Sequence, residues 1–161
     1  MRVIAIDPGY DRIGVAVLDG NGALVTRVYS TCIETNQHDV IYQRIFKAAQ
    51  QVGEVIDRYH PEALAIEELY FSRNVSTALK VSEAKGVMVF QALNRGIPVI
   101  EYTPNQVKVA TTGYGRATKA EVHKMVSILV HLKERNKKIK DDEIDALAVG
   151  ITHLASCKHQ N

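Results

Sequence analysis

The chain has 161 residues, which is enough to bury a hydrophobic core without disulfide or metal cross-links and fits one compact domain. Its 46% hydrophobic and 24% charged residues are ordinary proportions for a globular protein, and a net charge of +2 is too small to indicate a partner. The cysteines, Cys32 and Cys157, lie far apart and belong to no Cys-x-x-Cys or Cys/His cluster. This pattern argues against a disulfide framework or structural zinc, and it favours a reducing compartment.

The N-terminal residues do not have the pattern of a signal peptide. They run straight into a short apolar segment, without a charged region, a longer apolar core or a cleavage site. No apolar run approaches the roughly 20 residues that cross a bilayer. We therefore expect a cytoplasmic protein.

The first elements form a predicted meander of three strands. Val3–Ile6 is a short apolar run that ends in the turn sequence Asp7-Pro8-Gly9. Ile13–Leu18 is the second strand, and residues 19–22 (DGNG) supply the positive φ angles of a tight hairpin before the returning strand Ala23–Ile33. An acid therefore follows directly on the first strand.

Helices and strands then alternate. Apolar residues recur every third or fourth position over Ile41–Tyr59, which predicts a helix that His60-Pro61 ends. Ala63–Ile66 is a short buried strand that ends in Glu67-Glu68, and the helix before it suggests a crossover that makes it parallel to an earlier strand. A second long helix over 75–93 and a fifth strand over 99–102 follow.

The last third of the chain predicts three more helices. Thr103-Pro104 is typical of an N-cap with proline in the first turn, and it opens a short helix through Val109. After the glycine-rich loop 113–116, Thr118–Glu121 forms a capping box for the next helix. With a final helix near the C-terminus and no linker or repeat, we expect one α/β domain over residues 1–161, with a five-stranded mixed sheet flanked by helices.

A basic segment precedes the final helix. Lys133–Lys140 (KERNKKIK) carries five basic residues and one acid, and Asp141 or Asp142 is predicted to cap the helix after it. Such a segment is either a solvated loop or a surface that holds phosphates beside metal-binding acids, as a nuclease requires. The candidate DNA-binding cations in and before this segment are Lys108, Arg116, Lys119, Lys137 and Lys138.

Four acids form a candidate site. Asp7 and Glu67 follow apolar strands at their carboxyl ends, where open α/β sheets bind ligands, and Asp142 and Asp145 share one helix face. Each acid alone has a structural explanation as a turn former, a surface acid or a helix cap. Carboxylates gathered in one crevice would repel each other unless cations bind, and oxygen ligands suit Mg²⁺ or Mn²⁺ and not zinc. Two such ions about 3.5–4 Å apart can stabilise the attacking and leaving oxygens of phosphodiester hydrolysis.

An ordered set of short motifs runs over nearly the whole chain. It comprises Ile6-Asp7-Pro8-Gly9, Ala65-Ile66-Glu67, Ser76–Lys80 (STALK), Gln106-Val107-Lys108, Lys119, Asp142–Leu147 (DEIDAL) and Ile151-Thr152-His153. In this set the sequence resembles the RuvC family of Holliday-junction resolvases, within the ribonuclease H-like superfamily. The resemblance implies a ribonuclease H-like fold and an endonuclease that resolves four-way DNA junctions by paired symmetric nicks, in homologous recombination and DNA repair.

The resemblance also implies roles for individual residues. Position by position, it makes these acids the catalytic metal ligands: Asp7, Glu67, Asp142 and Asp145. It implies that Lys108 and Lys119 contact phosphates near the scissile bond, the alternative being plain helix-surface lysines. Tyr70 matches an aromatic position near the junction centre, where stacking on an unpaired base is worth roughly 1–3 kcal/mol. The alternative for Tyr70 is packing under a loop.

Two of the acids are duplicated in the sequence. Because Glu68 and Asp141 stand beside them, the assignment could shift by one residue. We choose Glu67 because it completes the Ala-Ile-Glu motif, and Asp142 because it lies three residues before Asp145. Two histidines, His123 and His153, are candidate general bases. His153 is interpreted as structural because it lies more than two helical turns beyond the last acid, and water activated by a metal needs no histidine base.

The resemblance implies two Mg²⁺ ions per active site, with Mn²⁺ able to substitute, and products with 5′-phosphate and 3′-hydroxyl ends. It also implies a two-fold homodimer, which suits two symmetric nicks, and a branch-migration motor of the RuvA and RuvB type as a partner. The helix over 75–93 is rich in small residues and is the candidate for close subunit packing, the alternative being packing onto the sheet.

Other functions stay open. A YqgF-like RNA-processing nuclease would share the fold and the first acid, and cleavage of structured RNA against a DNA junction would separate the two. A non-catalytic junction-binding module is disfavoured because all four acids are present. A truncated actin-like nucleotide binder is disfavoured by the short chain and the lack of a later glycine-rich loop.

Overall fold

The computed structural model describes residues 1–21, 24–69, 75–132 and 139–157. Its centre is a five-stranded mixed sheet with the order β3-β2-β1-β4-β5. The strands are β1 (Arg2–Asp7), β2 (Arg12–Gly20), β3 (Val25–Glu34), β4 (Ala63–Glu67) and β5 (Val99–Tyr102). The helices are α1 (Ile41–Tyr59), α2 (Val75–Leu93), α3 (Pro104–Thr112), α4 (Lys119–Leu129) and α5 (Asp141–Ser156).

The sheet topology follows the predicted order of connections. β1, β2 and β3 form the antiparallel meander, whereas β4 pairs with β1 in parallel and β5 pairs with β4 in parallel. Parallel neighbours need a crossover, and α1 and α2 supply the connections into β4 and β5. The predicted α/β fold with a five-stranded mixed sheet is confirmed.

The strands bury a different kind of side chain on each face of the sheet. Because side chains alternate along a strand, Ile4 and Ile6 of β1 face α1 and α2, whereas Val3 and Ala5 pack with α5 on the other face. The second face carries small residues, and α5 lies against β1 and β2 there while also contacting α3 and α4. This arrangement explains why α5 is apolar nearly all round over residues 146–154.

Several predicted boundaries are corrected by the structure. β1 and β4 each extend one residue, to Asp7 and Glu67, because both acids continue the strand backbone. α3 runs to Thr112 and not to residue 109. The predicted cap of α5 was wrong, since the N-cap is Lys140 and the helix begins one residue later.

The start of α5 is stabilised by a carboxylate that was not considered as a cap. Glu143 Oε1 accepts a hydrogen bond from the Lys140 backbone N–H at 3.4 Å. All three acids of the first turn, Asp141 to Glu143, bring negative charge to the positive end of the helix dipole. The N-cap predicted at Thr103 and the capping box predicted at Thr118 are both present, and Gln106 completes a capping box at Thr103 as well. Among the described residues, no helix is long and apolar enough to cross a membrane.

Candidate functional site

Two strand ends bring the first pair of acids together. β1 and β4 run parallel with Ile6 opposite Ile66, so Asp7 and Glu67 are the next residues on adjacent strands. Each lies two residues beyond an alanine that packs with α5, and alternation therefore directs both carboxylates to the face that α5 covers. Both side chains are only partly exposed. The register of the sheet thus produces the crevice expected at this edge.

The second pair of acids comes from the first two turns of α5. This helix touches β2 so closely that a Cβ atom on Gly14 would lie 1.9 Å from the Asp142 carbonyl oxygen. Only glycine allows that approach, because any side chain there would push the helix away from the sheet. The side chains of Asp142 and Asp145 are 17% and 24% exposed, whereas the neighbouring Asp141 is 74% exposed. The structure therefore turns Asp142 inward and Asp141 outward.

The pKa values of Asp7 and Glu67 indicate that the four carboxylates lie close together. Burial, followed by the negative charges of Asp145, Glu67 and Asp142, raises the pKa of Asp7 to about 8. Burial and then Asp145 also raise the pKa of Glu67. The ammonium of Lys119 opposes both shifts. The four predicted acids and Lys119 therefore lie near one another although they come from four separate elements of the chain.

Asp145 already has a partner on each carboxylate oxygen. Lys119 Nζ lies 2.7 Å from Oδ2, and His123 Nε2 lies 2.8 Å from Oδ1. No group of three or more His, Cys, Asp or Glu side chains, within the part of the chain that the structure describes, is already arranged to hold a metal ion. The donor set is nevertheless what a hard divalent cation prefers, because it consists of carboxylate oxygens with unbalanced negative charge.

A buried lysine holds the end of the strand that carries Glu67. Lys85 of α2 donates to the Glu67 carbonyl oxygen at 3.1 Å and to Glu101 Oε2 of β5 at 2.8 Å. Its ammonium also lowers the pKa of the Glu67 carboxyl, against the larger effect of burial. Sequence reasoning missed Lys85. The available signal was a lysine three residues before Met88 on the buried face of a helix.

The comparison with known sequences identifies the family. Residues 3–153 match the sequence model of the family described as Crossover junction endodeoxyribonuclease RuvC. The chain belongs to the RuvC family.

Individual relatives agree over nearly full length. The chain is 39% identical over 155 residues to the crossover junction endodeoxyribonuclease RuvC of Pseudothermotoga lettingae, covering 96% of this chain and 94% of the relative. It is 39% identical over 153 residues to the same enzyme of Petrotoga mobilis, covering 95% and 93%. The solved structure of T. thermophilus RuvC in complex with Holliday junction substrate superposes with a TM-score of 0.90 at 35% identity, covering 98% of this chain and 95% of that one. The chain is thus a Holliday junction resolvase, a metal-dependent crossover junction endodeoxyribonuclease with the RuvC fold.

The cations predicted to contact DNA are placed unevenly around this RuvC site. Lys119 begins α4 and contacts Asp145 directly. Lys108 is partly exposed on α3, and Arg116 is exposed in the loop between α3 and α4. Tyr70, Lys137 and Lys138 lie outside the described residues.

Two further residues beside the acids belong to no motif of the sequence. Arg12 begins β2, and its Nε lies 3.6 Å from Asp142 Oδ2 with the side chain 60% exposed. His123 was considered only as a general base, yet it contacts Asp145. The other histidine, His153, is buried, bonds to the Tyr102 hydroxyl at 2.9 Å, and has its pKa lowered by burial. These contacts agree with a structural role for His153.

Proposed function

We propose that Asp7, Glu67, Asp142 and Asp145 hold two Mg²⁺ ions, and that this site performs the paired nicks of junction resolution. The observation that carries the proposal is the environment of Asp7, where burial and then the charges of three other carboxylates raise its pKa to about 8. A cluster that repels its own charge in this way binds cations favourably. Four carboxylates and two divalent ions also balance in charge.

The chemistry of the donors selects the metal class. Carboxylate oxygens suit Mg²⁺ and Mn²⁺, whereas structural and catalytic zinc sites use histidine and cysteine more often. Two bound ions would stabilise the attacking and leaving oxygens of an in-line phosphodiester displacement, with 5′-phosphate and 3′-hydroxyl ends as products. The exposed Asp141 and Glu68 are the less suitable members of each duplicated pair, because a ligand must point into the crevice.

The basic residues around the crevice supply the phosphate contacts. The Lys119 side chain is 62% exposed while its ammonium contacts Asp145, so a DNA phosphate and this carboxylate compete for the same cation. Arg12, Lys108 and Arg116 add positive charge on neighbouring elements. The relative from T. thermophilus was solved with a Holliday junction substrate, and we propose that this chain binds a four-way junction in the same way.

An exposed apolar surface on α1 and α2 supports a homodimer. Tyr42, Phe46, Leu79 and Phe90 are each more than half exposed, and Phe46, Gly86 and Phe90 line one groove. Gly86 has open space around it, so a second helix can approach α2 closely. We propose that a second copy of the chain covers this surface, because two related active sites match the two-fold symmetry of the junction.

The dimer proposal is tested by sedimentation velocity at micromolar concentration. Phe90→Glu should convert the dimer to monomer and abolish paired nicking, since it places a charge in an apolar contact. Ile128→Glu is the matched control, because Ile128 is 54% exposed on α4 and lies away from this surface. A Phe90→Glu protein that remains dimeric would contradict the proposed interface.

The remaining expectations concern the cell. We propose a branch-migration motor of the RuvA and RuvB type as the partner that delivers opened junctions. We also propose that the enzyme acts in the cytoplasm, since Cys32 and Cys157 are both free thiols.

The metal site is tested by Mg²⁺-dependent nicking of a synthetic four-way junction. Asp7→Asn, Glu67→Gln and Asp142→Asn should lose cleavage by several orders of magnitude while retaining junction binding. The matched controls are Asp141→Asn and Glu68→Gln, which change an adjacent exposed acid in the same way. Equal loss in the control variants would move the ligand assignment by one residue, and normal cleavage by Asp7→Asn would refute the site. Structured RNA serves as the counter-substrate and should not be cut.

A further inference from the structure

Two residues of α4 hold the two oxygens of Asp145 differently. Lys119 and His123 are four residues apart, so they lie on one face of the helix, toward α5. Lys119 Nζ contacts Oδ2 at 2.7 Å from a side chain that is 62% exposed. His123 Nε2 contacts Oδ1 at 2.8 Å from a side chain that is 17% exposed.

We propose that His123 is a positioning residue that holds Asp145 through Oδ1 and leaves Oδ2 to be exchanged between Lys119 and a metal ion. The proposal rests on the role of Asp145 as a metal ligand. It assigns no proton transfer to the histidine. It also explains how Asp145, whose two oxygens both have partners in the metal-free protein, can bind a metal ion.

The chemistry of the hydrogen bond determines which ring nitrogen of His123 carries the hydrogen. An ionised carboxylate only accepts hydrogen bonds, so the Nε2 atom that faces Oδ1 carries the hydrogen. The other ring nitrogen, Nδ1, lies 4.0 Å from an oxygen of Asp141, beyond hydrogen-bond distance. The strong contact of the ring is therefore the one to Asp145.

The position of each residue in α4 decides which contact can break. His123 stands beside Val122 and one turn before Val126, and both valines are buried in the core that α4 shares with α5. Lys119 is the first residue of the helix and has a long, largely exposed side chain. A metal ion can therefore displace the ammonium at little structural cost, whereas displacing the imidazole would require the packed helix to shift.

The contact with His123 preorganises the Asp145 carboxylate for metal binding. With Oδ1 held, the carboxylate group of Asp145 loses less rotational freedom when Oδ2 binds a cation. Residues that orient a ligand in this way typically contribute 10- to 100-fold to metal affinity or activity. A residue that only packed against the helix would not affect metal affinity selectively.

The experiment measures Mn²⁺ affinity of the full chain without DNA, by electron paramagnetic resonance of free Mn²⁺. His123→Phe keeps a ring but removes the donor, and should weaken Mn²⁺ binding about 10-fold or more. His123→Gln restores an N–H donor and should stay within about threefold of the native affinity. Lys124→Leu, at an exposed position on the same helix, is the matched control and should bind as the native protein does.

A second readout separates positioning from damage to the fold. Cleavage by His123→Phe should recover toward the native single-turnover rate as Mn²⁺ is raised to saturation, because only the affinity has changed. If His123→Phe has lost stability in thermal unfolding with EDTA, His123→Ala provides the same comparison without added bulk. Native Mn²⁺ affinity in whichever donor-less variant is folded would overturn the proposal.

Asp145→Asn distinguishes this inference from the proposed function. If Asp145→Asn binds Mn²⁺ as tightly as the native chain, the metal-site assignment and the inference both fail. If Asp145→Asn weakens binding and the His123 variants do not, only the inference fails. In the expected result, the effect of His123→Phe disappears in the Asp145→Asn background, because the histidine acts through that carboxylate.

Discussion

Replacing Asp7 by asparagine should stabilise the metal-free protein while it destroys the activity. Asp7 lies among like charges, and burial together with those charges raises its pKa from 3.8 to about 8. Near neutral pH the folded protein must therefore bind a proton on Asp7 that the unfolded chain does not hold. Asparagine removes this requirement and keeps a similar size and shape.

The sign and size follow from proton linkage. Below pH 3.8 the carboxyl is protonated in both states and carries no penalty; between pH 3.8 and about 8 the stability of the folded state falls as pH rises. The slope is about 1.4 kcal/mol per pH unit, so the difference of about three units at pH 7 corresponds to at most about 4 kcal/mol. Because the side chain keeps some solvent contact, we expect roughly half of this, about 2 kcal/mol. For a chain of this size that raises Tm by about 4–8 °C.

The assay is thermal unfolding followed by circular dichroism in EDTA, at about pH 5 and about pH 7.5. The stabilisation by Asp7→Asn should be much smaller at the lower pH, which lies only about one unit above the unfolded pKa of 3.8. Asp57→Asn is the matched control and should not stabilise the protein at the higher pH, because the hydrogen bond from Arg95 lowers the pKa of the Asp57 carboxyl. Added Mg²⁺ should raise Tm of the native protein more than that of Asp7→Asn. A variant that is less stable than the native protein at the higher pH, or equally stabilised at both, would refute the reasoning.

Three further predictions concern the surroundings of the acids. Gly14→Ala should lower the cleavage rate by more than tenfold and reduce Tm, because the new Cβ atom would lie 1.9 Å from the Asp142 carbonyl oxygen. A variant with native Tm and native nicking rate would count against this close contact. The Lys85 ammonium holds the Glu67 carbonyl oxygen at 3.1 Å and so fixes the end of β4. Lys85→Met should therefore weaken Mn²⁺ binding, and Lys85→Arg should restore part of the affinity. Equal affinities in both variants would contradict this role. Lys119→Met should bind Mn²⁺ more tightly without DNA, because a competing cation is removed, yet cut more slowly. Its junction affinity, measured by fluorescence anisotropy, should fall less steeply with salt by about one unit of slope, and an unchanged slope would exclude a phosphate contact.

Local patterns were sufficient for most of the secondary structure. The bounds of α1, α2 and β5 follow from apolar periodicity and from the proline and glycine residues around them, because these signals depend only on neighbours in sequence. The N-cap at Thr103 and the capping box at Thr118 are local in the same sense. The motifs around the acids were also sufficient to indicate the family, which the match over residues 3–153 shows.

The faces of α2 could not be read from the sequence alone. Its apolar residues surround much of the helix, so periodicity did not separate a core face from an interface. The structure buries Ala84, Lys85 and Met88 against the sheet and leaves Leu79 and Phe90 exposed. Which side faces the sheet depends on the crossover from β4 to β5, and that is a property of the tertiary fold.

The candidate site was likewise determined partly by the sequence and partly by the tertiary fold. The sequence by itself determined which acids stand at strand ends and on one helix face, since strand and helix periods are local. It could not decide between Asp142 and Asp141 except by motif, whereas the contact of α5 with Gly14 turns one inward and leaves the other exposed. The bond from His123 to Asp145 joins residues 22 positions apart on different helices, and no local pattern specifies it. Only the packing of α4 against α5 brings those two side chains within hydrogen-bond distance.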